Sequence, residues 1–151
     1  MSELEKIFLT SALTIFGSIT VYVIGQIISK FVIEPIHEQK KLIGEIADSL
    51  IFYAYVYANP GLAERNLMDE ASNKFRQQAT LLQSKTHLIP LYSFFSCLGV
   101  VVNRSNIEKA ASNLIGLSNS VYRVSSIDDI AGRNLDRADE IKTLLRLKIK
   151  G

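Results

Sequence analysis

Two histidines and one cysteine are the residues of this chain best suited to metal binding or nucleophilic catalysis. His37 and His87 lie about 50 residues apart, and neither has a second ligand three or four positions away, the spacing at which a helix offers two ligands to one metal ion. Cys97 lies in an uncharged stretch and is expected to pack rather than react. The sequence contains neither a glycine-rich phosphate loop nor a Gly-x-Ser-x-Gly motif. We therefore predict a protein that is not an enzyme and has no metal site and no cofactor.

Some aromatic and basic residues of the chain are of the types that contact nucleic acid. Tyr53, Tyr55 and Tyr57 could stack on bases, but no basic residue is interleaved with them, so packing between helices is favoured. Beyond Glu140 the chain carries basic residues with no acid among them: Lys142, Arg146, Lys148 and Lys150. These cations suit a helix C-terminus, with contact to anionic lipid or RNA as the lesser alternative. Since the net charge is only +2, nucleic acid is not expected as a partner.

Length and composition limit the chain to one soluble domain and one apolar span. Its 151 residues leave about 115 for a soluble part once a membrane segment is subtracted, which suits a single core. The content of 48% hydrophobic and 21% charged residues fits this arrangement better than a multi-span transporter or a disordered tail. The single cysteine excludes an intramolecular disulfide, so the soluble part is compatible with a reducing compartment.

An uncharged stretch near the N-terminus predicts a transmembrane helix. Ile7 to Ile28 is about 22 residues long, enough to cross a hydrocarbon core of about 30 Å at about 1.5 Å per residue. A cleaved signal peptide would need a basic start and a shorter apolar stretch, whereas this chain begins with Ser2-Glu-Leu-Glu-Lys6. The segment is therefore expected to remain in the mature protein.

The basic residues on either side of the span predict its orientation. Lys30, Lys40 and Lys41 follow the span, and Lys6 alone precedes it. Basic residues near a span favour the cytoplasmic side. We expect a single-pass protein of the bacterial inner membrane, with its N-terminus outside and its C-terminal domain in the cytoplasm.

The predicted span has one polar face, which we call the polar stripe. At about 100° per residue its members fall within an arc of about 120°. They are Ser11, Thr14, Ser18, Tyr22, Gly25, Gln26 and Ser29. The opposite face carries residues that lipid accepts without cost, among them Leu13, Phe16 and Val23. Since a lone helix gains nothing by turning Gln26 and hydroxyls to lipid, the stripe predicts contact with other copies of the chain.

Two kinds of assembly agree with the polar stripe. In one, the hydroxyls bond back to carbonyls of their own helix and the small residues make an ordinary helix contact in a dimer. In the other, several copies form a ring in which the polar stripe lines or borders a central opening.

The rest of the sequence predicts a helical bundle. Pro35 removes a helix hydrogen bond and predicts a kink where the chain leaves the membrane. Helices are expected over residues 36–58 and 62–86, because apolar residues recur there with helical period. Two segments have the form of an N-capping box and should each open a further helix: Ser105-Asn-Ile-Glu108 and Ser126-Ile-Asp-Asp129.

The stretch from Leu88 to Val102 contains about 15 residues without charge. It is too short to span a membrane and too apolar for an ordinary loop. We expect a buried core helix with Pro90 near its start. A segment that dips into the membrane is the alternative.

The order of elements resembles the small ring-forming membrane accessory proteins of type VI CRISPR loci, whose soluble part is a HEPN-like helical domain. Three segments carry the resemblance: Phe31-Val-Ile-Glu-Pro-Ile, Gly44-Glu-Ile-Ala-Asp-Ser-Leu-Ile-Phe-Tyr-Ala and Leu114-Ile-Gly-Leu-Ser-Asn-Ser-Val-Tyr122. The resemblance covers the whole chain and implies a membrane pore that strengthens antiphage defence. HEPN nucleases use an Arg followed by a His after four to six residues, and neither Arg76 nor Arg104 has a His at that distance. Only the architecture is therefore carried over.

Together these observations predict an all-α protein with a transmembrane anchor over residues 1–33 and a cytoplasmic, HEPN-like helical bundle over 34–151. Its expected partners are the lipid bilayer, further copies of itself in a ring, and a CRISPR or other defence protein. The leading hypothesis is a pore or membrane-perturbing assembly, with antiphage defence as its setting. The alternative is a passive membrane-tethered scaffold that docks a cytoplasmic partner, and a HEPN-like nuclease is the third hypothesis.

Overall fold

The computed structural model describes residues 2–123 and 129–148, and all regular structure in these ranges is helical. The helices, in chain order, are α1 (Glu3–Ile28), α2 (Glu34–Phe52), α3 (Ala54–Ala58), α4 (Arg65–His87), α5 (Tyr92–Cys97), α6 (Arg104–Ser120) and α7 (Ile130–Leu144), and a π-helical turn (Ser29–Ile33) joins α1 to α2. The predicted all-α fold is confirmed.

Helix α1 stands apart from the bundle. Its start is fixed by a capping box, in which the Ser2 hydroxyl accepts from the Glu5 N–H and the Glu5 carboxylate accepts from the Ser2 N–H at 2.7 Å. None of its residues is buried. Among the described residues it is the one helix long and apolar enough to cross a membrane, which agrees with the predicted span. Helix α1 is therefore not a core helix of the bundle, and no described residue covers its apolar surface.

The connection between α1 and α2 is a widened helical turn rather than a break. The N–H of Glu34 donates to the Ser29 carbonyl five residues earlier, and the helix runs without interruption from Glu3 to Phe52. Pro35 has no N–H to donate to the Phe31 carbonyl, so the regular helical ladder cannot pass through this point unchanged. The π-helical turn accommodates the proline at the position where the sequence predicted a kink.

Helices α2 and α4 pack against each other in antiparallel orientation. Lys85 near the end of α4 contacts Glu38 near the start of α2 at 2.8 Å. At the other end, the Tyr53 hydroxyl that follows α2 donates to Glu70 at 2.8 Å. The C-terminal end of α4 therefore lies beside the first turns of α2, close to the turn that joins α1 to α2.

One core joins α2, α4, α6 and α7. Its largest fully buried apolar side chains are Phe75, Ile46, Leu50, Leu82, Ile107, Leu114, Leu117, Ile141, Val56 and Val121. Most of these were expected from helical periodicity, which places apolar residues on the face turned toward neighbouring helices. Helix α6 is central, since it packs against both α4 and α7.

Two predicted helix boundaries are wrong. The helix expected over 36–58 is interrupted at Tyr53, which leaves helical geometry at φ −95° and ψ 17° and separates α2 from α3. Helix α6 begins at Arg104, and its cap is Asn103, whose side chain accepts from the Ser105 N–H at 2.9 Å. Asn103 therefore replaces the N-cap predicted at Ser105, because its side chain, two residues upstream, satisfies an exposed N–H of the first turn.

The second predicted capping box falls partly outside the described residues. Asp129 is described, and its carboxylate accepts from the Gly132 N–H at 2.8 Å as the N-cap of α7. Ser126 lies outside the described ranges.

The buried core helix expected over Leu88 to Val102 is also wrong. Only α5 is helical within this stretch, which we call the 88–102 segment, and α5 is a single short piece. Leu91 has a left-handed backbone (φ 50°), and Gly99 has φ 73°, so turns bound α5 on both sides. The large side chains that point outward are Leu88, Leu91, Phe94 and Leu98. The four-helix core is already filled, which leaves no site for another buried helix.

Candidate functional site

The polar stripe lies along α1 and into the turn that follows. Six of its members are on α1: Ser11, Thr14, Ser18, Tyr22, Gly25 and Gln26. Ser29 is the first residue of the π-helical turn. All seven are exposed, because nothing in the described chain packs on this helix. The stripe is therefore available to lipid, to water or to another copy of the chain.

Several hydroxyls of α1 bond to their own helix. Thr14 Oγ1 donates to the Thr10 carbonyl, and Ser18 Oγ donates to the Thr14 carbonyl, both at 2.8 Å. Thr20, which lies off the stripe, bonds in the same way to Phe16 at 2.8 Å. A hydroxyl satisfied in this way costs little in lipid, so these residues do not by themselves require a water-filled opening. This geometry is the one expected of an ordinary helix contact.

Gln26 differs from Thr14 and Ser18. In the part of the chain that the structure describes, its amide has no hydrogen-bond partner, and the side chain is exposed. An amide offers two donors and an acceptor, and it is costly in hydrocarbon without partners. Gln26 lies near the C-terminal end of the predicted span. It is the stripe residue that most needs another copy of the chain or water.

A shallow groove runs along one side of α1. It is lined by Leu13, Thr14, Gly17, Ser18, Val21 and Tyr22. Gly17 was not among the predicted contact residues, although it follows Thr14 by three positions and precedes Gly25 by eight, a spacing that could have indicated it. A Cβ at Gly17 would meet nothing within 4 Å, so its backbone is open to a neighbour. Small residues of this kind let two membrane helices approach closely.

A second cluster lies where α4 ends and α6 begins. Arg104 Nη2 approaches His87 Nδ1 at 3.4 Å, and the Arg104 guanidinium lies 5.7 Å from the centre of the Tyr92 ring. Glu108 lines the same open cleft. The Arg-His spacing of HEPN nucleases does not include this pair, because the two residues are 17 positions apart in the opposite order and only the fold joins them. A cation beside an imidazole can bind an anionic group.

Buried hydrogen bonds fix the 88–102 segment to α2. Gln39 is fully buried, and its amide donates to Thr86 Oγ1 at 2.7 Å and to the Tyr92 hydroxyl at 3.2 Å. The Tyr92 hydroxyl in turn donates to the Val102 carbonyl at 2.5 Å. Burial raises the pKa of Tyr92 above its ordinary value, so the hydroxyl keeps the proton that it donates.

Lys85 and Glu38 form an ion pair beside Gln39, and this pair shifts the pKa of the Glu38 carboxylate. The hydrogen bond and positive charge of Lys85 hold the pKa of Glu38 below its ordinary value of 4.5. The pair therefore stays ionised at neutral pH. It joins α4 to α2 next to the buried Gln39.

Neither cluster resembles a metal centre. Within residues 2–123 and 129–148, no three His, Cys, Asp or Glu side chains come together as a metal ion would need. Cys97 is exposed on α5, whereas the sequence placed it in a buried helix.

Comparison of the chain with protein-family models, with curated proteins and with solved structures found no match. What the chain does must therefore be inferred from its own geometry. The all-helical fold is compatible with many classes of protein, so it adds nothing specific to the HEPN-like resemblance.

Proposed function

We propose that the chain is a single-span membrane protein whose α1 helices associate through the polar stripe into a pore or membrane-perturbing assembly. The observation that carries the proposal is that α1 is long and apolar enough to cross a bilayer and yet buries none of its residues in the bundle. An apolar helix of this length is stable only where lipid or protein covers it.

Association between copies is supported by two features of α1. The Gln26 amide has no partner in the described chain, and a neighbouring helix or a water-filled opening would provide one. Gly17 and the small residues beside it allow a second helix to come close. A ring of helices would give the Gln26 amide a partner and would also bring the small residues into close helix contact.

The setting of the proposal is the bacterial inner membrane, with the bundle in the cytoplasm. The lysines that follow α1 support this orientation. The resemblance to accessory proteins of type VI CRISPR loci suggests antiphage defence, with a CRISPR or other defence protein as partner. The bundle would then hold the ring together and respond to a trigger.

Reconstitution in liposomes tests the pore directly. The full chain, with its orientation verified, should release a trapped dye or conduct in a patch-clamp experiment. Replacing Ser18 and Gln26 by Leu should abolish permeability, because both polar groups would be lost from the stripe. A matched control replaces Phe16 and Val23 by Leu on the opposite face and should leave permeability unchanged. Impermeable liposomes at every candidate trigger would contradict the proposal.

A passive scaffold is the second candidate, and the back-bonded hydroxyls favour it. Thr14 and Ser18 are satisfied within α1, as in an ordinary helix contact that needs no opening. A scaffold should tolerate the double change of Ser18 and Gln26 to Leu without loss of its cellular role, whereas a pore should not. Mass photometry of the detergent-solubilised chain separates a dimer from a ring.

The contact between Arg104 and His87 gives the nuclease hypothesis an observation of its own. A cation and an imidazole at 3.4 Å could bind a phosphate and move a proton. RNA cleavage by the purified chain that vanishes on Arg104→Ala would establish this activity. Absence of cleavage by the unchanged protein would leave the non-enzymatic proposal as it stands.

A further inference from the structure

We propose that the 88–102 segment is a second membrane-contacting element, which lies in the interface of the same bilayer that α1 crosses. This inference rests on the proposed membrane span, because it needs the bilayer surface to lie where α1 continues into α2. Its occupant is the lipid interface, with acyl chains against its apolar side chains and anionic headgroups against the basic residues at its ends.

The first observation is the composition of the outward side of the segment. Leu88, Leu91 and Leu98 are 67%, 75% and 60% exposed, and Phe94 is 57% exposed. No charged residue interrupts the stretch from 88 to 102. A contiguous apolar surface of this size is unusual on a soluble domain and marks a surface that something covers.

The second observation is where the fold puts this surface. Helix α4 runs antiparallel to α2, and its last turn is joined to the first turns of α2 by the contact of Lys85 with Glu38 and of Thr86 with Gln39. The chain that follows α4 therefore continues past the start of α2, toward the π-helical turn and α1. Ile36, in the first turn of α2, packs against the segment's own buried cluster of Ile89, Tyr92 and Val101.

The predicted end of the span lies close in sequence to Ile36. The apolar surface of α1 continues through Phe31 and Ile33, which are exposed. From Ile7 to Ile33 a helix extends about 40 Å, at about 1.5 Å per residue. Since the hydrocarbon core is about 30 Å thick, the last part of this length must lie in the headgroup layer. Ile36, which packs against the 88–102 segment, lies three residues beyond that part of the chain.

Charge at the ends of the segment matches a phospholipid surface. Arg104 follows the segment and supplies a positive charge, and its Nη2 lies 3.4 Å from Nδ1 of His87, which precedes the segment. Both are exposed, and Lys30 on the π-helical turn is exposed as well. Basic residues that border an apolar surface are typical of interfacial elements, because they bind lipid phosphates while the apolar residues enter the acyl boundary.

The backbone of Leu91 is the third observation. At φ 50° and ψ 36° it has the left-handed conformation that favours glycine, and its side chain is among the most exposed in the segment. A turn alone would accept glycine or asparagine here. With leucine at this position, the turn adds a further exposed apolar side chain to the outward side of the segment.

Tryptophan fluorescence tests the inference cleanly, because the chain contains no tryptophan. Three full-length variants, Phe94→Trp, Phe16→Trp and Phe52→Trp, are reconstituted in vesicles of phosphatidylcholine and phosphatidylglycerol with brominated acyl chains, which quench tryptophan on contact. Phe16 lies in the span, and Phe52 is an exposed phenylalanine at the far end of α2. The expected result is strong quenching at positions 16 and 94 and none at 52. The emission at position 94 should also shift to shorter wavelength.

The outcomes separate the two proposals. Quenching at position 16 without quenching at 94 overturns the inference and leaves the membrane span in place. Quenching at neither position overturns both. If Phe94→Trp does not fold, a spin label on Cys97, the chain's exposed single cysteine, gives the same information without a substitution in the segment. Collisions with oxygen should exceed those with a water-soluble nickel chelate, and the reverse result overturns the inference.

Discussion

The buried amide of Asn134 joins three parts of the bundle. It is fully buried on α7, donates to the Tyr57 carbonyl at 2.9 Å and accepts from the Ser120 hydroxyl at 2.7 Å. Such a group is stabilising only while its partners remain, because an unpaired polar atom in a core costs more than the bond contributes. The residue therefore specifies how α7 meets α3 and α6.

Asn134→Ala should lower the free energy of unfolding by about 2–3 kcal/mol, since it leaves the Tyr57 carbonyl buried without a donor and opens a small cavity. Asp136→Ala, on the exposed side of the same helix, is the matched control and should change it by less than about 0.5 kcal/mol. Thermal unfolding of the full chain in detergent measures both. Equal stability of the two variants would contradict the role given to Asn134.

The ion pair of Glu38 and Lys85 should make stability depend on acid. Lys85 holds the pKa of Glu38 below its ordinary value of 4.5, so the folded state favours the ionised carboxylate. This contribution is present above pH 4.5 and is lost as the pH falls through the lowered pKa. Between neutral pH and about pH 3, the unfolding temperature of Lys85→Met should depend less on pH than that of the unchanged chain. An identical pH profile for both proteins would contradict the assignment.

At the scale of the element, the proposed association of copies depends on α1. Its groove is centred on Gly17, where a new side chain would meet no atom of its own chain. The bundle and the assembly should therefore respond differently to a change at this position. A substitution at Gly17 can therefore test the role of α1 in association without disturbing the fold of the bundle.

Gly17→Leu should reduce the mass of the assembly in detergent or nanodiscs, because the larger side chain fills the groove that a second helix would enter. Ala12→Leu makes a similar increase in size away from the groove and should leave the assembly intact. Both variants should keep the unfolding temperature of the bundle. Mass photometry measures the assembly, and an unchanged mass for Gly17→Leu would argue against the groove as the contact.

The π-helical turn determines how α1 is placed relative to the bundle. Pro35 was expected to kink the chain, and the structure instead keeps the helix continuous by widening the turn from Ser29 to Ile33. A widened turn shifts the rotational position of the residues before it. In the proposed assembly, the turn would therefore help to decide which face of α1 meets neighbouring copies.

At the scale of the whole molecule, the proposal predicts opposite sides of the membrane for the two ends of the chain. The polar end of α1 precedes the span and the bundle follows it. The excess of lysines after the span favours a cytoplasmic bundle. Accessibility in intact cells distinguishes this orientation from the reverse.

A membrane-impermeant maleimide should label Glu3→Cys but not Asp136→Cys in intact cells whose outer membrane is permeabilised, with both changes made in a Cys97→Ser chain. Both positions are exposed, so only topology distinguishes them. Both should be labelled after lysis, which is the control for reactivity. Labelling of Asp136→Cys alone in intact cells would reverse the orientation.

The sequence by itself determined the apolar helix at the N-terminus, the helical class and the core faces of α4 and α6. These features depend on hydrophobicity and period, which are local properties of the chain. The polar stripe could likewise be identified from spacing along one helix, although Gly17 was not included because it lies outside the arc of the stripe.

The tertiary structure determined the features that depend on packing between helices. The 88–102 segment was expected in the core because it is apolar, but the space was already occupied by four other helices, so its leucines point outward. Asn103, and not Ser105, is the N-cap of α6. His87 contacts Arg104 only because the end of α4 lies beside the start of α6. Contacts between residues far apart in sequence depend on how helices pack, and neither spacing nor composition encodes them locally.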